Sequence, residues 1–579
     1  MATTSELSNS RSWRVPQPRN PAAIASFASA AKVEPLVAEI LLRRGYTPQS
    51  ATRFLHPGLS DTHDPKLMKG MVAAREEVIR HVVAGNRILV FGDYDADGIT
   101  GAALLQSWLA TNGAKVSAMI PMRQDGYGFS LTRARMIAAL PPDKRPALVI
   151  TVDLGTSDHE AVKYLMDSGI SVVVTDHHLV LRGLPPTPFF INPSRGDEDY
   201  PFKGLSGCGV AYKLVQAMST RAHEPALYDL VMMATIGDQV PLIGENRYMV
   251  KAALQILHRQ ATGNFGLRAL ANTANIHLDH ITSEQIGWSI DPRINAVGRM
   301  GKDPEMAVTL LTTPHMSEAN AIAAQMNKLN RERQTLTDEL TERAFQIVGS
   351  TPDPLIVVYI PDCGVGVAGL IASRVVEEYG HPTLVVNAEG RGSGRATDSS
   401  TGGHMMEYMI QLHHMGVFGG VRRDKNGEPV TPDYGGHSGA CGFRNVDVQQ
   451  LISCAKNVVV EKDEAAGVAR VEAVMPLASI TPRIIRDLEI LEPFGISNQK
   501  PIIMVPNLTV SEQSTTKDGK TLNLTLIDES SGATTRARWF RHGHLVGKIP
   551  HRVEMLGIPS FGWVDTQPEL LITSLRPIR

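Results

Sequence analysis

Three short, mostly aliphatic runs each end on an acid: Arg87 to Gly92 leads into Asp93, Ala147 to Val152 into Asp153, and Ile170 to Thr175 into Asp176. Two more runs, Val116 to Ile120 and Phe189 to Ile191, share their character. Helical stretches lie between most of the five, among them an apolar one from Gly101 to Asn112 closed by Gly113. A short apolar run bounded by turn residues reads as a strand buried on both faces, and strands alternating with helices pair in parallel beneath covering helices. The chain is thereby held to an α/β fold. In an open parallel sheet, ligands bind just past the carboxyl ends of the strands, which is where these acids fall.

With 579 residues the chain is too long for a single core, so several domains are expected. Residues 1–20 are polar and read as a flexible tail. Residues 21–85 read as a helical lead-in, with Leu36, Ile40, Leu41, Ala51, Phe54 and Leu55 at helix-like spacing. The first α/β lobe takes 86–314. Over 315–349, Ile322, Met326, Leu329, Leu336, Leu340 and Ala344 recur every three or four residues among polar neighbours, which predicts one long amphipathic helix. Residues 350–470 form a second α/β lobe. It has a strand from Leu355 to Tyr359, a helix from Ala368 to Tyr379 and a strand from Thr383 to Asn387, then glycine-rich loops at Gly390 to Gly394 and Gly435 to Gly442. From 471 to 579 alternation dominates: Leu522, Leu524 and Leu526 share one strand face, and Thr535, Ala537 and Trp539 another. This predicts a small β-barrel or sandwich.

Composition narrows the function. Lys and Arg number 57 against 59 Asp and Glu, so the chain as a whole does not attract a polyanion, and any such site must be a local basic patch. The four cysteines, Cys208, Cys363, Cys441 and Cys454, are far apart, which argues against a zinc site or a disulfide framework and for a reducing, cytoplasmic setting. No run reaches the roughly 18 apolar residues of a membrane span, and the polar start lacks the apolar centre of a secretory signal.

The acids are Asp93, Asp95 and Asp97 after the first strand, Asp153 after the third and Asp176 after the fourth. His177 and His178 follow directly, and Asp238 comes after a later apolar segment. Taken singly, an aspartate after a strand is more often a helix cap than a ligand. Gathered at one rim, so many carboxylates would repel one another by several kcal/mol unless cations neutralised them. Asp-Tyr-Asp-Ala-Asp-Gly also looks like the start of a calcium loop, but Leu104 stands where that loop needs its glutamate. Carboxylates with imidazoles and no thiolate suit Mn2+ or Mg2+ better than structural zinc. Six or seven ligands fit two ions sharing a bridging carboxylate, an arrangement used for phosphodiester hydrolysis.

These residues resemble those of the DHH phosphoesterase superfamily and, within it, the RecJ-like exonucleases. The motifs are Gly92-Asp-Tyr-Asp-Ala-Asp-Gly98, Pro121-Met-Arg123 with Gly126-Tyr-Gly128, Thr151-Val-Asp-Leu-Gly155, Thr175-Asp-His-His178, Gly237-Asp-Gln-Val-Pro-Leu242 and Pro292-Arg-Ile-Asn-Ala-Val-Gly-Arg299. In the second lobe, Ala368-Gly-Leu-Ile-Ala-Ser-Arg374, Gly392-Ser-Gly-Arg395 and Gly435-Gly-His437 resemble a DHH-associated domain. Leu491-Glu-Pro-Phe-Gly495 resembles the junction to an oligonucleotide-binding (OB) barrel.

The resemblance implies two α/β lobes joined by the long helix, with an OB-like barrel at the end. It implies that Asp95, Asp97, Asp153, His177, His178 and Asp238 act in catalysis and hold metal, with Asp93 and Asp176 as ligands or their supports. His437 joins the catalytic set. Arg123, Arg293, Arg299, Ser393, Arg395, Gly436 and His437 are implied as substrate contacts. The chemistry suits them, since arginine's planar fork matches phosphate, glycine turns admit backbone N–H groups to an anion, and a histidine can steady developing charge.

The implied activity is 5′-to-3′ hydrolysis of single-stranded DNA to 5′ mononucleotides, in repair and recombination. A single-stranded-DNA-binding protein or a helicase is the candidate partner of a cytoplasmic, membrane-free monomer. Arg536, Arg538, Trp539, Phe540 and Arg541 could hold the strand on the barrel, although Arg536, Arg538 and Phe540 read equally as a solvated edge strand. Two other readings stand beside this one: a phosphodiesterase for short oligonucleotides or cyclic dinucleotides, and an inactive scaffold. Phe91, Gly364-Val365 and Ile496-Ser-Asn depart from the family's pattern.

Overall fold

The computed structural model describes residues 12–126, 128–180, 183–221, 224–396, 405–418, 433–436, 439–460, 468–562 and 567–578. The chain divides into two units. One comprises Met1–Thr62, Pro241–Lys251 and Gly467–Arg579; the other comprises His63–Val240 and Ala252–Ala466.

The larger unit holds two sheets. The first contains β1 (Arg87–Gly92), β2 (Lys115–Met119), β3 (Leu148–Val152), β4 (Ser171–Thr175) and β5 (Phe190–Ile191), all parallel, in the order β2-β1-β3-β4-β5. The five strands are those read from the sequence, with ends moved by a residue or two. Leu89, Phe91, Val149, Val172 and Val174 pack on one face with Ala134, Ile137, Ala161 and Leu165 from two helices. Ile88, Val90 and Ile150 are equally buried on the other, where α1 (Ala96–Thr111) and α2 (Gly207–Met218) cover the sheet.

Register sets up the site. Gly92 lies opposite Val152, Val152 opposite Thr175, and Thr175 opposite Ile191, so the next residues leave the sheet side by side. The ladder continues one bond further: the backbone N–H groups of Asp93, Asp153 and Asp176 donate to the carbonyls of Val152, Thr175 and Ile191 at 3.3, 3.0 and 3.1 Å.

Beyond the sheet come α3 (Tyr228–Gly237), α4 (Asp291–Arg299) and the long helix α5 (Met316–Val348). The last buries Ala319, Ala323, Met326, Leu340 and Ala344, much as its periodicity predicts. The second sheet has the order β9-β10-β8-β7-β6, from β6 (Ile356–Tyr359), β7 (Thr383–Val386), β8 (Gly392–Arg395), β9 (Tyr434–Gly436) and β10 (Ala440–Phe443). Only the β6–β7 pair is parallel. The glycine-rich segments expected as loops are therefore largely strands. Crowding explains the glycines: a Cβ on Gly394 would sit 2.6 Å from Leu384 and 2.7 Å from the Cys441 sulfur.

In the smaller unit, strands β11 (Ile503–Thr515), β12 (Leu522–Asp528), β13 (Ala533–Trp539), β14 (Arg552–Phe561) and β15 (Pro568–Pro577) close into a barrel. The ring runs β11-β12-β13-β15-β14 and returns to β11. Leu522, Leu524, Leu526, Ala537 and Trp539 point into its core. Because β13 pairs with β12 on one side and β15 on the other, it is not an edge strand. Arg536 is exposed on its outer surface, as is Phe540 just beyond its end, while Arg538 pairs with the buried Glu569 at 3.0 Å.

Three helices, Pro21–Ala31, Pro35–Arg43 and Pro48–Leu55, each begin on a proline that fits the first helical turn. Their core includes Leu488, Leu491 and Phe494. The buried Arg247 guanidinium donates to the carbonyls of Phe54, Leu491, Glu492 and Pro493. Part of the expected tail is ordered: Ser12–Arg14 pairs in parallel with Val468–Arg470, and the Trp13 indole N–H donates to Ser574 at 2.9 Å. Among the described residues no helix is long and apolar enough to cross a membrane.

Candidate metal centre

The first acidic loop turns directly into a helix. Asp95 caps α1, its carboxylate accepting from the backbone N–H groups of Asp97 and Gly98 at 3.1 and 3.3 Å, so the helix starts at Ala96 rather than at Gly101. Asp97 therefore lies inside the first turn of α1. Its carboxylate also accepts from Gly207 and Cys208 N–H, at 2.6 and 2.7 Å, at the N-terminus of α2, where the helix dipole favours an anion. Asp153 adopts a left-handed backbone (φ 63°), an unusual conformation for a residue bearing a side chain. Gly207 permits its approach, because a Cβ there would lie 2.5 Å from the Asp153 Cβ.

Asp176 stands differently. It accepts from the backbone N–H groups of Thr156, His177 and His178 and from His178 Nδ1 at 2.8 Å, which fixes the orientation of the His178 ring. Asp238 caps the C-terminus of α3. It reaches the rim from a helix end, not from a strand.

These groups converge. His177 Nε2 lies 3.1 Å from Asp153 Oδ1, 3.6 Å from Asp238 Oδ2 and 3.8 Å from Asp97 Oδ2. Three sets each offer ligand atoms within 4.8 Å of one another: Asp153, His177 and His178; Asp97, His177 and Asp238; Asp93, Asp95 and Asp153. Asp153 and His177 each belong to two sets; the Asp153 carboxylate could serve two ions through its two oxygens, whereas the single His177 nitrogen would serve one. Asp176 belongs to none.

The electrostatics fit cations. Burial, and then the charges of neighbouring aspartates, push the Asp93, Asp153 and Asp238 carboxyls well above the usual carboxylate range. Asp97 is pushed up to about 7 by burial and Asp95. Burial would raise Asp176 too, but its hydrogen bond to His178 and the imidazole charges outweigh it and hold the carboxyl low. Burial would lower His178, yet Asp176 lifts it to about 9. Asp93 Oδ1 is buried with no hydrogen-bond donor among the described residues, an environment that suits a carboxylate bound to a divalent ion.

A cationic cluster accompanies the acids. Arg123 lies 4.1 Å over the Tyr94 ring, and the half-buried Arg299 donates to the Gly366 carbonyl at 2.8 Å. Burial and the charges of Arg123, Arg395 and Arg333 bring Arg299 down to about 9. Arg395 donates to Ser393 Oγ at 3.1 Å, and Ser393 in turn donates to the Cys441 carbonyl. Arg293 donates to Asn327 and to the Ser289 carbonyl, and Arg331 and Arg333 are its charged neighbours. Gly436 takes a backbone that excludes a side chain, since a Cβ would meet the Ala440 carbonyl oxygen at 2.2 Å. His437 and Tyr127 lie outside the described residues. Phe91 is fully buried against Phe129, so an apolar contact occupies that departure from the family pattern.

Arg333 and Asp291 were not singled out from the sequence. The signal for Arg333 was the Asn330-Arg-Glu-Arg333 stretch in the long helix. Asp291 directly precedes the Pro292 motif.

A parallel sheet carrying this acid and imidazole set at its carboxyl ends defines a DHH-type phosphoesterase, and the model described as "DHH family, N-terminal domain" matches residues 87–235. "RecJ OB domain" matches 471–562. The single-stranded-DNA-specific exonuclease RecJ of Bacillus subtilis (strain 168) is 32% identical, over 98% of this chain and 71% of its own length. Its Thermus thermophilus counterpart is 31% identical, over 81% and 67%. The crystal structure of Thermus thermophilus RecJ in complex with Mn2+ superposes with a TM-score of 0.80 at 27% identity, covering 98% of this chain and 80% of that one. A structure of the same protein with Mg2+ gives 0.74 at 26% identity, covering 98% and 78%. The chain belongs to the RecJ family.

Proposed function

We propose that this chain is a single-stranded-DNA-specific exonuclease of DNA repair and recombination that removes 5′ mononucleotides by hydrolysis. The observation that carries this reading is the sharing of the Asp153 carboxylate between two sets of ligand atoms, with His177 beside it at 3.1 Å, a geometry suited to two cations at one phosphate. Asp93, Asp95, Asp97, Asp153, His177, His178 and Asp238 would hold Mn2+ or Mg2+, and the pair would supply an activated water and charge neutralisation at the phosphorus.

The chain's own groups prepare that step. Asp97 is fixed between two helix N-termini, and Asp176 orients His178. The guanidinium groups of Arg123, Arg299 and Arg395 suit the phosphate oxygens, with Ser393 holding Arg395 in place. Water adds to phosphorus, the bond to the 3′ oxygen breaks, and the terminal nucleotide leaves with its 5′ phosphate.

In this reading 86–314 is the catalytic domain, 315–349 the connector, 350–470 the substrate-binding domain and 471–579 the strand-holding barrel. The protein is a cytoplasmic monomer that meets a single-stranded-DNA-binding protein or a helicase on its substrate. These finer assignments rest on family membership.

Digestion of 5′- and 3′-labelled single strands with Mn2+ tests the proposal. Asp153→Ala should cut cleavage by about a thousandfold or more while DNA binding persists. Unchanged cleavage overturns the assignment.

A further inference from the structure

Asp291 is a buried acid that the reaction above leaves unused. It opens α4 and is 2% exposed, and neither of its carboxylate oxygens meets a hydrogen-bond donor among the described residues. Its surroundings are specific. A Cβ built on Gly237, the residue before Asp238, would lie 3.1 Å from Asp291 Oδ2 and 3.3 Å from the Cβ of Ala96, the residue after Asp95. The Asp291 carboxylate thus sits where the helix end carrying Asp238 meets the helix start carrying Asp95.

One turn along α4, Asn295 accepts from the Ala96 backbone N–H at 2.9 Å, so the same helix fixes the start of α1. Burial, and then the charge of Asp95, push the Asp291 carboxyl well above the carboxylate range in the metal-free chain, and a cation bound nearby would draw off its proton and leave it charged. A buried acid with no donor and an anionic neighbour needs a cation or a specific role. Asp93 Oδ1 has the same signature, and Asp93 belongs to one of the three ligand sets.

We infer that Asp291 is a further acid of the metal centre, standing behind the direct ligands, whose negative charge strengthens the hold on the cation nearest Asp95 and Asp238. The inference rests on the metal-dependent reading above. Groups behind the direct ligands typically change metal affinity tenfold or more when altered, and a buried charge acts over several ångströms with little screening.

Manganese titration of the full chain without DNA, read by the resonance signal of free Mn2+, tests this apart from catalysis. Asp291→Asn keeps the shape and removes the charge. It should weaken Mn2+ binding at one site by about tenfold, with a melting temperature in chelator equal to or above that of the parent. Asp291→Ala, the second variant, should give the same shift should the amide not fold.

Affinity within about twofold of the parent overturns the inference, since a factor that small lies below the outer-shell range. So does a melting temperature lowered equally with and without metal at unchanged affinity. A parent chain that takes up no Mn2+ would overturn the metal-dependent reading and this inference together. A parent that binds Mn2+, with Asp291→Asn matching it, overturns the inference alone.

Discussion

The barrel of the smaller unit and the acidic rim of the first sheet both bury side chains, but they use burial in opposite ways. In the barrel, Leu522, Leu524 and Leu526 alternate inward to meet Ala537 and Trp539, and every buried contact favours folding. At the rim, Asp93, Asp97 and Asp153 are buried close to one another, and burial with their mutual repulsion works against folding until cations arrive. The sheet beneath holds Asp93 and Asp153 there, because its ladder continues through their own backbone N–H groups, and the first turn of α1 holds Asp97. Apolar packing thus supplies the stability that offsets the strain of a metal-free binding site.

The contrast can be broken at either end. The largest stability effect belongs to the barrel: Leu524→Ala should cost about 3 kcal/mol, seen as a lower denaturant midpoint for the smaller unit and the same with chelator as with Mn2+. Asp153→Ala should behave in reverse, leaving the melting temperature in chelator unchanged or raised while removing most of the metal-induced rise.

A smaller effect is the pH response. In the metal-free chain Asp97 goes from 3.8 unfolded to about 7 folded, and His178 from 6.5 to about 9. Both bind protons more tightly when folded. Their contribution is therefore largest at low pH and is lost as pH rises, through about 4 to 7 for Asp97 and 6.5 to 9 for His178. Asp176 is shifted the other way, but above about pH 5 it is ionised in both states and adds no slope. The melting temperature in chelator should therefore fall between about pH 5 and 8 relative to that in Mn2+, and the gap between the two curves should widen. Parallel curves would show that the acids are not coupled to metal.

The two regions also differed in how far their sequences could be read. The barrel was legible because alternation at Leu522, Leu524 and Leu526 reports burial directly. Asp93, Asp153 and Asp176 were legible because each follows a strand whose register the apolar run already fixes. Asp97 was named as a ligand, but its place inside a helix was hidden, since three aspartates in five residues look like a loop until Asp95 is recognised as a cap. Asp238 likewise comes from a helix end. The strands at Gly392–Arg395 and Tyr434–Gly436 were hidden because glycine signals a turn in one dimension, while its reason here, the closeness of Leu384, Cys441 and the Ala440 carbonyl, exists only in three. Arg333 and Asp291 acquire meaning solely from what folds against them.

The measurement that tests the account most directly is anomalous diffraction at the manganese edge from crystals grown with Mn2+. Two peaks about 3.5–4 Å apart are predicted, with the Asp153 carboxylate reaching both. A single peak, or none among Asp93, Asp97, Asp153, His177 and Asp238, would contradict it.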